Sequence, residues 1–266
     1  MDSLSVYARL AWAQARGQMQ YRASFLLGLA GVFSTTFVEL LAVLILFRTF
    51  GQLAGWQAGE VALLYGIVAV AFGLSEMAGD GFEDISSLIR TGQFDRVLTR
   101  PVPPFVQIMA SQFPLKRLGR IAQGVFALAL AQRWLGLDWT PGRALVLLSA
   151  IFSTAVVFVG IFVIGAALCF WTVERTEAQN VFTYGGTELA SYPVHIYNPW
   201  LRGVFLYVVP LALTTYYPAL YLLRKPDPLG LPGWLQLTSP LVALAFFAAG
   251  LLAWRAGLNH YQSTGS

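Results

Sequence analysis

The sequence predicts an all-α fold: a polytopic membrane protein with six transmembrane helices, an interfacial helix before the first and a short amphipathic helix between the second and third. Apolar residues make up 57% of the 266 residues and charged residues only 11%, whereas about 25% of an ordinary soluble domain is charged. The apolar residues come in long blocks rather than at amphipathic spacing, which indicates helices surrounded by lipid. A block of about 20 such residues crosses the hydrocarbon layer of a bilayer.

Six blocks approach that length, and together they define one membrane domain over residues 1–266. They are residues 24–47, 60–78, 118–137, 144–171, 203–223 and 239–256. The third has only 12 residues between Arg120 and Arg133, so it crosses only if both arginines reach the interfaces; we include it because the parity of the crossings requires it. Pro210 and Pro218 predict a kinked or broken fifth helix.

The basic residues predict the orientation of these helices. With the amino terminus inside, twelve basic residues fall in inner segments and five in outer loops. The inner set is Arg9, Arg16, Arg22, Arg90, Arg96, Arg100, Lys116, Arg117, Arg120, Arg175, Arg202 and Arg255. This bias is typical of cytoplasmic loops, so we expect a multi-pass protein of the plasma (inner) membrane with both termini in the cytoplasm. The formal charge of +4 therefore reflects topology and does not indicate nucleic-acid binding.

Two short segments outside the blocks are amphipathic. Before the first block, Tyr7, Ala11 and Ala15 share one helix side, which predicts a helix lying on the membrane surface over residues 4–22. Gln14 and Gln18 interrupt that side, so a simple polar leader remains the alternative.

Between blocks two and three, Phe82, Ile85 and Ile89 align on one side of a predicted short helix, and Gly92 can end it. A solvated loop is the alternative at this segment.

The sequence offers little for catalysis. His195 and His260 are far apart and have no partner at a metal-ligand spacing, so we expect no metal site. A phosphate-binding loop needs a lysine directly after glycine, but Lys116 follows Leu115 and Lys225 follows Arg224. We expect neither enzymatic activity nor a bound cofactor in this chain.

Glu39 is the charged residue inside the first block. A carboxylate there costs on the order of 3 kcal/mol on insertion scales, so it should face protein or a water-filled path. A role in a translocation path and a role in helix packing are both open.

Several short motifs resemble one family of membrane proteins. The stretch Ile89-Arg90-Thr91-Gly92-Gln93-Phe94-Asp95, followed by Leu98-Thr99-Arg100-Pro101, resembles the first intracellular loop of ABC-2-type transporter permeases. Later motifs that resemble the same family are Tyr192-Pro193, Ile196-Tyr197, Val209-Pro210, Tyr217-Pro218-Ala219 and Gly257-Leu258-Asn259-His260-Tyr261. They appear in the expected order from residue 80 onward, on a frame of six spans.

The resemblance implies a permease subunit of an ATP-binding-cassette exporter. Two such subunits, identical or paired with a paralogue, would assemble in the lipid bilayer with two separate ATPase subunits that bind ATP and Mg²⁺. The short helix after span two would be the cytoplasmic coupling helix, which docks on the ATPase. The matching residues are Phe82, Glu83, Asp84, Ile85, Leu88, Ile89, Arg90, Gly92, Asp95, Arg96 and Arg100. Pro210, Tyr217 and Pro218, with the stretch up to Pro240, would form an outer gate.

Two other functions remain open from the residues. An ion-coupled secondary transporter would use Glu39 or Glu76 as its ion site, although such transporters usually show internal repeats. A membrane scaffold would need no ATPase at all. The cargo is not predicted, because apolar walls accept lipids, drugs and peptides alike.

Overall fold

The computed structural model describes residues 3–172 and 177–262, and within them every regular element is helical apart from one isolated bridge between Leu53 and Trp56. The α-helices are α1 (Ser3–Gln20), α2 (Arg22–Phe50), α3 (Ala58–Gly79), α4 (Ile85–Arg90), α5 (Phe94–Leu98), α6 (Pro104–Met109), α7 (Leu118–Leu135), α8 (Pro141–Thr172), α9 (Glu177–Ala190), α10 (Pro199–Gly203), α11 (Leu211–Thr214), α12 (Tyr216–Leu223) and α13 (Ser239–His260). Short 3-10 turns occupy Asp80–Asp84, Leu115–Arg117, Val194–Ile196 and Gly233–Leu237, and a π-turn occupies Val204–Val208. Arg175 and both ends of the predicted domain lie outside the described residues.

Four helices of the described part are long and apolar enough to cross a membrane. They contain the predicted first, second, fourth and sixth blocks: Arg22–Thr49, Ala58–Arg90, Pro141–Thr172 and Ser239–His260. The predicted fifth block makes a fifth candidate if its two bent halves are counted as one span. Helix α7 covers the predicted third block, but its two arginines and two glutamines lower its mean hydropathy, so it is not among these candidates.

The predicted break in the fifth block is confirmed. The halves Pro199–Val208 and Leu211–Leu223 are bent by 66°. The break falls at Pro210, which has no backbone N–H to continue a helix and whose ring clashes with the preceding turn. Pro218 causes no second break, because it lies in the first turn of α12, where backbone N–H groups have no helical partner anyway.

Both ends of this broken segment lie at the same end of the molecule. On its amino-terminal side, His195 Nε2 lies 3.3 Å from the carbonyl oxygen of Ala54. On its carboxy-terminal side, Lys225 Nζ donates to the carbonyl of Gly55 at 2.9 Å. Between them, Val209 lines an apolar cavity beside the middle of α8. The segment therefore starts and finishes beside the loop between α2 and α3.

Helix α3 is the centre of the bundle, and small residues let its neighbours approach closely. Of its most apolar window 83% is buried, against 17% for α2. It packs against α7 and α8, and a side chain at Gly66 would collide with Leu128 of α7.

The pairing of α8 with α13 uses the same device. A side chain at Gly250 would lie 3.4 Å from the carbonyl oxygen of Gly160, and one at Gly257 would lie 2.9 Å from that of Ala167. The two backbones therefore run in contact along this seam.

Two of the three glutamines of helix α1 bind it to the rest of the molecule. Gln14 donates to the carbonyl of Ser111 at 3.0 Å, and Gln18 donates to that of Phe113 at 2.8 Å. Gln18 also accepts from the backbone N–H of Leu115 at 2.9 Å. The residues that interrupt the apolar side of the predicted surface helix are thus its points of attachment.

Candidate functional site

The segment from Asp80 to Arg100, which we call the coupling segment, folds compactly against the end of the bundle. The turn Asp80–Asp84 continues into α4, and Gly92, at φ 67°, turns the chain toward α5. This left-handed conformation suits glycine because it has no Cβ. A side chain at Gly81 would collide with the carbonyl of Ile108 in α6. Both glycines therefore fix the position of the segment.

The predicted apolar face of this segment points into the protein's own core. Phe82, Ile85 and Ile89 are 1%, 0% and 2% exposed. The ring of Phe82 packs 5.1 Å from that of Phe105 and 5.5 Å from that of Trp254 in α13, measured between centroids. The expectation that these three side chains are open for docking is corrected, because they anchor the segment to the bundle.

A second anchor lies in α5. Phe94 is fully buried, with its ring centroid 5.2 Å from that of Phe170 in α8 and 4.9 Å from that of Tyr261 after α13. The Tyr261 hydroxyl donates to Asp95 Oδ1 at 2.8 Å. Burial, followed by this hydrogen bond, raises the pKa of Tyr261 to about 12, so the hydroxyl stays a donor at neutral pH. The coupling segment is thus attached to both α8 and α13.

The other side of the coupling segment is exposed and charged. Its exposed residues include Asp84, Ser87, Arg90, Arg96 and Arg100, and Glu83 and Leu88 are half-buried. Asp84 also accepts a hydrogen bond from Gln112. Of the predicted coupling residues, Asp84, Arg90, Arg96 and Arg100 are therefore the most accessible to a partner protein.

A group of paired charges, centred on the buried Glu76, lies next to the coupling segment. Glu76, 1% exposed, pairs through Oε1 with Arg117 Nη1 at 2.9 Å and through Oε2 with Arg120 Nε at 3.4 Å. Arg117 also pairs with Asp80 at 3.5 Å, and the guanidinium of Arg120 lies 5.0 Å from the ring centroid of Phe72. Glu76, which the ion-coupled alternative would use as its ion site, is the centre of this network between α3 and the start of α7.

Glu39 lies at mid-height and faces protein. The Tyr65 hydroxyl lies 3.3 Å from Glu39 Oε2 and 2.9 Å from the carbonyl oxygen of Thr36, both of which accept from it. Glu39 also lines a small polar cavity with residues of α3, α7 and α9. These contacts satisfy the physical requirement that a carboxylate in a span avoid lipid.

The opposite end, which we call the loop end, comprises residues 51–57 and 224–232 with their contacts. Lys225 Nζ pairs with Glu60 Oε2 at 2.6 Å and lies 4.9 Å from the ring centroid of Trp56. His195 Nδ1 lies 3.1 Å from the hydroxyl of Tyr216. Both side chains contact a buried aromatic group, in which Trp56 is 2% exposed and its ring centroid lies 5.6 Å from that of Tyr216.

The predicted outer-gate residues border the loop end. Tyr217 donates to Asp227 Oδ2 at 3.1 Å. Asp227 in turn accepts from the backbone N–H groups of Leu229 and Leu231, each at 3.0 Å. Pro210 lies deeper, at the break. One aspartate thus joins α12 to the loop that follows it.

Comparison with known proteins identifies the family. The family model described as ABC-2 family transporter protein matches residues 33–265. This chain belongs to the ABC-2 transporter family. No curated protein and no solved structure matches it. The family prediction from the coupling-segment motifs is confirmed, and it supports a multi-pass membrane subunit that is generally not catalytic itself and whose relatives work with an ATP-binding-cassette partner.

The structure separates the predicted site residues of this ABC-2 transporter protein into three places. The coupling residues lie together at one end, Glu39 lies at mid-height, and Tyr217 lies toward the loop end. Tyr261, in the last of the family motifs, donates a hydrogen bond to Asp95, which lies 166 positions earlier in the chain. The buried charge network was missed, although Glu76 and Asp80 are four residues apart, and Arg117 and Arg120 three apart, so that each pair shares a helix face.

Proposed function

We propose that this protein is the permease subunit of an ATP-driven exporter and that a separate ATPase, loaded with ATP and Mg²⁺, moves it through the coupling segment. The observation that carries the proposal is the double anchoring of that segment by Phe82 and Phe94. A force applied to its charged surface would be passed by these buried rings to α13 and α8. Family membership supports a partner ATPase and favours this proposal over the ion-coupled alternative.

Six crossings follow if α7 and α9 both span the bilayer. Helix α9 starts after the end of α8 beside the coupling segment, and His195 shortly after it already contacts the loop end. The segment 199–223 would then be re-entrant, entering and leaving from the outer side. This revises the fifth span at 203–223 that hydropathy predicts, and it moves Arg202 to the outer side. Both termini remain cytoplasmic, in the plasma (inner) membrane.

The re-entrant segment would serve as the outer gate. Its break at Pro210 and the polar contacts of Tyr217 and Lys225 would let it move without disturbing the buried rings of the coupling end. A second permease subunit, either another copy or a paralogue, would complete the path, and Glu39 would line it.

The test compares two charge reversals in the complex reconstituted with the ATPase that co-purifies. Arg96→Glu changes the exposed surface of the coupling segment, and Arg133→Glu makes the same change on the exposed end of α7 at the loop end. Because interfacial charge complementarity sets docking, we expect Arg96→Glu to reduce ATPase co-purification and transport at least about tenfold with an unchanged melting temperature. Equal loss in both variants, or none in Arg96→Glu, would contradict the proposal.

A further inference from the structure

A small polar cavity lies between four helices at mid-height. It is lined by Glu39 of α2, Tyr65, Val68 and Ala69 of α3, Arg120 of α7, and Thr187, Glu188 and Ser191 of α9. Its free space is about 10 Å³, close to the minimum that admits one water molecule. A ligand group that enters it without displacing a side chain must therefore be about as large as a water molecule.

The cavity carries more negative than positive charge. Within the described ranges, neither Glu39 nor Glu188 has an ion-pair partner. Arg120, the cation on the cavity wall, is already paired with Glu76 at 3.4 Å and stacked over Phe72. Glu188 is exposed, and the half-buried Glu39 accepts a hydrogen bond from Tyr65, but the two carboxylates still favour a positively charged guest over a neutral or negative one.

The hydroxyl groups of the wall have already used their hydrogens. Tyr65 donates to the carbonyl of Thr36 at 2.9 Å, Thr187 to that of Tyr184 at 2.6 Å, and Ser191 to that of Thr187 at 2.7 Å. The hydroxyl and carboxylate oxygens therefore offer only acceptor lone pairs. A guest that binds to these oxygens must bring the hydrogen-bond donors, and a primary ammonium group brings three with one positive charge.

We propose that this cavity binds the primary ammonium group of a cationic amphiphile. Glu39 of α2 and Glu188 of α9 would hold the charge, and the apolar part of the ligand would leave on the side of the exposed Glu188, since Val68 and Ala69 are buried. That the ligand is the cargo of the transporter rests on the function proposed above, whereas its binding to the permease does not.

The experiment measures binding to the full-length permease in detergent, with no ATPase present. The probe is dansylcadaverine, which joins a primary ammonium group to a fluorescent ring, and binding is followed by fluorescence anisotropy. N-acetyl-dansylcadaverine is the neutral control, and the trimethylammonium analogue is a cation too large for the cavity. The variants are Glu39→Gln, Glu188→Gln and their combination, with Asp138→Asn as a matched loss of one carboxylate in an exposed loop.

We expect saturable binding of the primary amine only, weakened about tenfold by each glutamine change, because each removes one charge-assisted contact. Asp138→Asn should bind like the wild type, and all variants should elute as the same monodisperse species. Equal affinity for the acetylated or trimethylated probe, or unchanged affinity in the double variant, would overturn the site. Normal binding without ATP-driven transport of the amine would leave the site standing and count against its use for cargo.

Discussion

At the coupling end, Phe82 and Phe94 fill the space between the coupling segment, α8 and α13 with fully buried rings. At the loop end, the partly exposed Lys225 pairs with Glu60 and lies over the buried ring of Trp56, so a charged contact covers the aromatic one. Buried aromatic contacts resist separation because opening them leaves a cavity or exposes apolar surface. A partly exposed ion pair exchanges readily with water. We therefore expect the coupling end to resist separation more strongly than the outer contacts of the loop end.

The largest expected effect is at the aromatic anchor. Phe82→Ala should lower the free energy of unfolding by about 4 kcal/mol, because it removes a buried ring and leaves a cavity. Thermal unfolding of the purified protein would measure the loss. Leu98→Ala, at a side chain 41% exposed, is the control and should change stability by less than about 0.5 kcal/mol. Equal shifts in the two variants would mean that the coupling segment is not anchored as described.

A smaller effect should follow from loosening the second anchor without removing its ring. Tyr261→Phe deletes the hydrogen bond to Asp95 and should cost about 1 kcal/mol at pH 7. Since the pKa of Tyr261 is raised from 10.0 to about 12 in the folded protein, its contribution is full below pH 10 and is lost as pH rises through 12. The difference in melting temperature between wild type and variant should therefore shrink over that window. A constant difference across it would exclude the assigned hydrogen bond.

The smallest effect on stability is expected at the loop end. Lys225→Gln removes the pair with Glu60 and should cost less than about 1 kcal/mol, as for other partly exposed pairs. A double-mutant cycle with Glu60→Gln isolates the pair energy, and Arg133→Gln serves as a control in the same region. A coupling energy above about 3 kcal/mol would show that the loop end is as firmly closed as the coupling end.

Hydropathy located the long apolar helices well, because composition alone identifies α2, α3, α8 and α13 as possible membrane spans. It also found the break at Pro210, where the cause is local. It did not find α9, which is short and carries Thr183, Thr187 and Glu188. The position of such a polar helix depends on the helices that pack against it, and hydropathy does not contain that information.

The candidate site shows the same division between local and distant information. The periodicity of Phe82, Ile85 and Ile89 predicted a helix with one apolar side, which the turn and α4 provide. It could not tell whether that side meets a partner or the protein's own core, since Trp254 lies far along the chain. The pairing of Glu76 with Arg117 was hidden for the same reason.

The glycine seam between α8 and α13 has a mechanical consequence. With Gly160 against Gly250 and Gly257 against Ala167, the two backbones approach closely, and the rings of Phe246 and Phe170 pack against Gly160 and Gly257. We therefore expect the two helices to move as one unit. A displacement of Trp254, near the carboxy-terminal end of α13, would be transmitted to Ser239 at its amino-terminal end. A larger residue at Gly250 or Gly257 would push α8 and α13 apart.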